Sequence, residues 1–170
     1  MAEIIRILGV DTSLRSTGVA MIQSDGFRHQ AITYGRIHAP PSWPRSQCLV
    51  NLQTQLNEVI VNEKPDTVAI EGIFFSKNIK TAFILGEARG AVICTCASAG
   101  LPIFEYAPRK VKQGVVGRGA ADKSQVAMMI KTLYGLAEVP QNDAADALAI
   151  AYCHAVQMKT GSQTGRQKTL

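Results

Sequence analysis

Short apolar runs and longer amphipathic stretches alternate along this chain in an order that predicts an α/β domain. Residues 4–10, 17–22 and 30–38 read as three strands joined by short turns, the second at Ser24-Asp25-Gly26. Residues 44–63 carry Leu49, Leu52, Leu56, Val59 and Ile60 on one helical face, with Pro44 near the start. Pro65-Asp66 ends that helix and leads into a strand over 67–71. A long helix follows over roughly 78–99, then a strand over 102–106. Pro108 to Gly114 reads as a short helix and Gly114 to Gly119 as a glycine-rich loop. Helices near 122–134 and 143–158 complete a single domain over 1–158, and residues 159–170 read as a short, basic, disordered tail. Three strands, then alternating helix and strand, then helices, predict a five-stranded mixed sheet flanked by helices.

Composition narrows the class. A chain of 170 residues with 46% hydrophobic and 18% charged residues fits one soluble domain with a sizeable core. No apolar run approaches a membrane span, and the N-terminus lacks the apolar region of a signal peptide, so the expected location is cytoplasmic, without membrane contact. Cys48, Cys94, Cys96 and Cys153 form no ligand array and read as small buried hydrophobes in a reducing compartment.

The charge is +5, and its distribution says more than its total. Between Glu105 and Lys131 six bases (Arg109, Lys110, Lys112, Arg118, Lys123, Lys131) face two acids (Glu105, Asp122). Basic segments of this kind suit a polyanionic partner.

Against that background four acids stand out. Asp11 follows the first apolar run and Glu71 ends the fourth strand. Asp143 and Asp146 lie at i, i+3 near the start of the last helix, so both can point the same way. Each has an ordinary structural reading: a turn-capping Asp, a buried acid paired with a base, an acid complementing a helix dipole. Together they suggest a divalent-metal site for phosphate chemistry, because gathered carboxylates stay ionised only when cations hold them.

Around these acids lie further candidates. Phe74 and Phe75 come directly after Glu71; as aromatics they could be core, or Phe74 could stack on or wedge between bases, with Lys77 beside it. Lys112 and Lys123 bracket the glycine loop and suit phosphate contact or transition-state charge. That loop is no P-loop, since no Gly-Lys-Ser/Thr follows. His29, His38 and His154 form no recognisable cluster. Ala82, Gly86 and Gly90 make a small-residue stripe that implies close approach of another backbone, within the chain or from a second subunit.

Several phrases resemble one family. They are Gly9-Val10-Asp11 with Thr17-Gly18 downstream, Ala69-Ile70-Glu71-Gly72-Ile73-Phe74 and Leu85-Gly86-Glu87-Ala88-Arg89-Gly90. Tyr106-Ala107-Pro108-Arg109-Lys110-Val111-Lys112, the stretch from Val116 to Val126, and Asp143-Ala144-Ala145-Asp146-Ala147 complete the set. In this order over roughly residues 5–155 they resemble the RuvC family of Holliday-junction resolvases. The resemblance implies an RNase H-like fold, a homodimer, and Mg²⁺-dependent paired, symmetric nicking of a four-way DNA junction.

By that resemblance Asp11, Glu71, Asp143 and Asp146 match the metal-binding catalytic acids. Phe74 matches an aromatic that engages junction bases, and Lys112 and Lys123 match basic residues important for catalysis or DNA contact. One departure is Thr12-Ser13 where the family usually has Pro-Gly, which leaves the path of that loop open.

The expected chemistry is two-metal phosphodiester hydrolysis with two Mg²⁺ about 3.5–4 Å apart, Mn²⁺ substituting, and a 5′-phosphate product. Lys77, Arg109, Lys110, Lys112, Arg118 and Lys123 are the expected DNA-contacting cations, and a branch-migration helicase complex is a candidate partner. The alternatives are a non-catalytic junction-binding protein and an RNA-cleaving RNase H-like nuclease.

Overall fold

In this computed structural model the described residues are 3–72, 78–164 and 169–170, with residues 160–164 described by backbone alone. The first three strands, β1 (Ile5–Asp11), β2 (Ser16–Ser24) and β3 (His29–His38), form an antiparallel meander. Its second turn closes where expected. Asp25 Oδ1 accepts the backbone N–H groups of Phe27 at 2.8 Å and Arg28 at 2.7 Å, and Gly26 takes φ +86°.

Helix α1 (Arg45–Glu63) then returns the chain to β4 (Thr67–Glu71), which pairs parallel with β1. Helix α2 (Ile79–Ser98) leads to β5 (Ile103–Tyr106), parallel with β4. The sheet order is therefore β3-β2-β1-β4-β5. Helices α3 (Pro108–Val116), α4 (Lys123–Tyr134) and α5 (Asn142–Thr164) follow.

The strands' period of two sorts their side chains into two cores. Leu8, Val10, Val68 and Ile70 face α1 and α2, meeting Leu52, Leu56, Ala88 and Val92. Ile7, Ala20, Ile22 and Ala69 face α3, α4 and α5. Because β1 and β4 are covered on both faces, they read as apolar runs without alternation.

Two glycines set how deeply α5 sits. A Cβ at Gly9 would overlap the carbonyl oxygen of Ala147, and one at Gly18 would overlap that of Asp143. Only hydrogen fits, so the small-residue face of α5 rests directly on the backbones of β1 and β2.

Several expectations need correction. Helix α3 runs through Gly114 to Val116, so Gly114 is helical; its Cα faces Cys153, whose sulfur would lie 3.4 Å from an added Cβ. The glycine-rich loop shrinks to Gly117–Ala121, with Gly117 in the left-handed conformation that ends α3. Helix α5 continues past the expected end at 158 to Thr164. Cys48, Cys96 and Cys153 are buried thiols, but Cys94 is exposed, because residues two apart on a helix face different sides. On α2, a Cβ at Gly86 or Gly90 would meet nothing within 4 Å, so no described part of this chain accounts for the small-residue stripe.

Candidate active site

Strand pairing puts the first two acids together. Val10 is level with Ile70 across the parallel β1/β4 ladder, so Asp11 and Glu71 stand at adjacent strand ends. Across the antiparallel β1/β2 ladder Asp11 is opposite Gly18, the residue on which the carbonyl of Asp143 rests. The glycine seat therefore carries the start of α5, with Asp143 in its first turn and Asp146 just beyond, to the end of β1.

Each acid from α5 is held by a neighbour. Ser16 Oγ donates to Asp143 Oδ2. Lys123 Nζ, at the start of α4, donates to Asp146 Oδ2 at 2.9 Å. Lys123 is kept at that spot by a capping box, in which Asp122 Oδ1 accepts Gln125 N–H at 2.8 Å and Gln125 Oε1 accepts Asp122 N–H at 3.1 Å.

Electrostatics registers the convergence. Burial, then the charges of Asp146, Glu71 and Asp143, push the Asp11 carboxyl up from 3.8 to about 7, with Lys123 opposing. Burial and Asp146 likewise raise the Glu71 carboxyl, while Lys123 and Lys112 pull it down. The bond to Asp146 raises the Lys123 ammonium, with Asp11 and Glu71 adding to it. The cluster holds more negative charge than its lysines neutralise.

That excess bears on whether a cation fits. Among the described residues no three acid, His or Cys side chains stand close enough to share an ion as placed. The reason is visible: Asp146 is turned to Lys123 and Asp143 to Ser16. The donor set itself is all carboxylate oxygen, the preference of a hard divalent cation, and the raised Asp11 and Glu71 carboxyls mark an unmet need for positive charge. The residues fit such an ion once the α5 acids turn from their present partners.

The loop after Asp11 is closed by a local device. Ser13 N–H donates to Thr17 Oγ1 at 3.2 Å, and the Thr17 hydroxyl donates back to Ser13 carbonyl oxygen. Thr12 Oγ1 is enclosed and has no hydrogen-bond partner among the described residues.

The basic candidates divide. Lys112 and Lys123 act on the acids directly. Arg109 is exposed, with its stem folded against Gly119, and Lys110 stands 5.8 Å from the Tyr106 ring centroid. Arg118 is exposed in the turn between α3 and α4. Phe74, Phe75 and Lys77 lie outside the described residues.

Sequence reasoning missed Ser16, the seats Gly9 and Gly18, and the pair Arg89–Glu105. Arg89 is the one with a readable signal, as a cation buried on α2 among Ala88, Val92 and Cys96. A shallow, open groove of about 270 Å³ lies away from these acids, between β2, β3 and α1.

An open cluster of acids at strand ends and a helix start, flanked by lysines, on a mixed sheet of order β3-β2-β1-β4-β5, defines an RNase H-like domain. The chain belongs to the RuvC family: the family model described as crossover junction endodeoxyribonuclease RuvC matches residues 7–154.

Relatives described as crossover junction endodeoxyribonuclease RuvC include one from Caldicellulosiruptor saccharolyticus, 48% identical over 88% of this chain and 91% of its own length. Another, from Alkaliphilus oremlandii, is 46% identical over 88% and 92%. Thermus thermophilus RuvC, solved in complex with Holliday junction substrate, superposes with a TM-score of 0.89 at 30% identity, covering 98% of this chain and 99% of that one. The yeast mitochondrial Holliday junction resolvase shares the fold, with a TM-score of 0.67 at 11% identity over 94% and 81% of the two chains.

Proposed function

We propose that this chain resolves four-way DNA junctions by paired, symmetric nicks, and that Asp11, Glu71, Asp143 and Asp146 hold the divalent ions the reaction needs. The carrying observation is the convergence of those acids beside Lys123, with Asp11 pushed up to about 7, in a member of the RuvC family. Two Mg²⁺ per site, replaceable by Mn²⁺, would supply Lewis acidity at the scissile phosphate and a lowered pKa for the attacking water.

The chain's own groups do the rest. Asp11 and Glu71, fixed at strand ends, set the floor of the site. Asp143 and Asp146 close it from α5 and, turned away from Ser16 and Lys123, would hold the cations there. Lys123, released from Asp146, then donates to the scissile phosphate and neutralises charge as it develops there. Lys112 lies near enough to Glu71 to lower its carboxyl pKa, and it holds the neighbouring backbone. The nick leaves a 5′-phosphate.

A second copy of the chain completes the assembly. Ile79 and Phe83 on α2 are 72% and 68% exposed, one turn apart and continuous with the open face of Gly86 and Gly90. An apolar, small-residue helix face of this kind suits a two-fold contact with itself, and two sites at fixed separation suit a two-fold junction. Arg109, Lys110 and Arg118 extend the cationic surface beside the site. We place the protein in the cytoplasm, consistent with four unpaired cysteines, with a branch-migration helicase complex as a partner.

The test compares a synthetic four-way junction with linear duplex and with an RNA–DNA hybrid, in Mg²⁺ or EDTA, using wild type and Asp146→Asn. Paired nicks on the junction alone, lost with EDTA and with Asn, are expected. Tight junction binding without nicks in any divalent metal would leave a binding protein, and cutting confined to the hybrid would make it a ribonuclease.

A further inference from the structure

Behind Glu71 stands an ion pair between α2 and β5, its arginine buried and its glutamate partly exposed. Arg89, on α2, is 8% exposed. One arm of its guanidinium, Nη1, donates to the backbone carbonyl oxygen of Glu71 at 2.7 Å. The other, Nη2, lies 2.9 Å from Glu105 Oε2 on β5. The fork thus ties α2, β4 and β5 together at the peptide that carries Glu71.

The far side of that peptide is equally defined. Gly72 N–H donates to the Tyr106 carbonyl oxygen at 2.8 Å, extending the β4/β5 ladder one residue past the strand. A Cβ at Gly72 would come within 2.7 Å of Glu105 Oε1. The carboxylate therefore packs against the bare Cα of Gly72 with one oxygen and holds Arg89 with the other.

A buried arginine is costly unless its fork is filled, and here both arms are. A lysine would offer a single point of charge in place of two fixed arms. The Glu71 carboxyl itself answers to burial, Asp146, Lys123 and Lys112. What Arg89 holds is backbone.

We infer that Arg89 and Glu105 are positioning residues: they fix the Glu71–Gly72 peptide, and so the carboxylate of Glu71, in the geometry that binds the divalent ion. The inference rests on the metal-binding role proposed for Glu71, and Mn²⁺ binding can be measured without any cleavage.

The experiment uses the full chain as wild type, Arg89→Lys and Glu105→Ala. Free Mn²⁺ is followed by electron paramagnetic resonance, giving the dissociation constant without DNA. Nicking of a four-way junction is followed against Mg²⁺ concentration, junction affinity is measured in EDTA, and melting is recorded for each protein.

Loss of an outer partner of a metal ligand costs about 10–100-fold in metal affinity or activity. Arg89→Lys should weaken Mn²⁺ and raise the half-saturating Mg²⁺ within about that range. Junction affinity in EDTA should stay near wild type. Glu105→Ala removes only a partly exposed side chain, should fold, and should shift Mn²⁺ affinity the same way; it decides the matter if Arg89→Lys does not fold.

Folded variants with wild-type Mn²⁺ affinity would overturn the inference. So would a nicking defect that tracks melting and disappears on cooling. If wild type itself fails to nick junctions, the proposed function falls, while the Mn²⁺ comparison still decides the role of the pair.

Discussion

Lys123 Nζ lies 2.9 Å from Asp146 Oδ2, an ion pair that joins the start of α4 to the second turn of α5, with the lysine side chain 72% exposed. An exposed pair of this kind contributes ~0–1 kcal/mol to stability. Its importance must lie elsewhere, since the same ammonium also acts on Asp11 and Glu71. Lys123→Met is therefore expected to slow single-turnover junction nicking by about 10²–10³-fold, the cost of one preorganised charge donor. Melting should move by no more than a degree or two. Nicking at the wild-type rate would remove Lys123 from the chemistry.

The raised carboxyl of Asp11 makes a prediction about stability rather than rate. Its folded value of about 7 lies above the ordinary 3.8, so the folded state holds a proton that the unfolded chain releases between those pH values. Stability from this group is present at low pH and declines as pH rises through 7. Asp11→Asn should consequently stabilise the metal-free protein at pH 8 by about 2–3 kcal/mol, discounted for the water that still reaches the group, and hardly at all at pH 4. Urea unfolding at the two pH values measures the difference. Added Mg²⁺ should reverse the order, because only the aspartate gains from the cation.

Gly18 has no room for a side chain. A Cβ there would overlap the carbonyl oxygen of Asp143, and backbone, unlike a side-chain tip, does not yield cheaply. Gly18→Ala should cost about 2–4 kcal/mol, as overpacking against a rigid element does. Whatever folds should bind metal poorly, because α5 and its acids are displaced. Gly35, on the edge strand, meets nothing within 4 Å and supplies the control: Gly35→Ala should fold and bind as wild type does. Denaturant titration with Mn²⁺ binding on the same samples checks both.

Much of this was legible before any coordinates. Strands β1 and β4 declared themselves because a strand buried on both faces must be apolar throughout. Asp11 and Glu71 were conspicuous as charges ending such runs. Asp143 and Asp146 were legible as a pair on one helix face, but their nearness to Asp11 depends on Gly9 and Gly18, whose contacts are with residues more than a hundred positions away. Ser16 was hidden for a related reason. A hydroxyl at a strand start has many ordinary uses, and only the fold reveals that this one meets Asp143. Arg89, a cation on an apolar stretch of helix, carried a signal but not its partner, the carbonyl of Glu71. The end of α3 was misjudged at Gly114, where glycine serves packing against Cys153 rather than a turn.

His154 gives the opposite pH signature to Asp11. The ring is fully buried, with Nδ1 2.6 Å from Tyr106 Oη and Nε2 3.4 Å from Thr67 Oγ1. Burial lowers it from 6.5 to about 4, so the unfolded chain takes up a proton that the folded state refuses. The stability it permits is complete above pH 6.5 and is lost as pH falls toward 4. Between pH 7 and pH 5 this amounts to roughly 1–2 kcal/mol. Since Asp11 contributes in the other sense over the same range, the comparison is between wild type and His154→Gln by urea unfolding at both pH values. A variant losing as much stability on acidification as wild type would refute the assignment.

The seating of α5 on Gly9 and Gly18 also has a consequence for the chain during its synthesis. Asp11 and Glu71 leave the ribosome early, yet the acids that complete the centre sit on the last helix, and they reach β1 only when that helix docks. A nascent or truncated chain without α5 would carry Asp11 and Glu71 alone, beside an uncovered sheet face. The four acids therefore come together only once the C-terminal helix has docked, so their convergence waits on the completed fold.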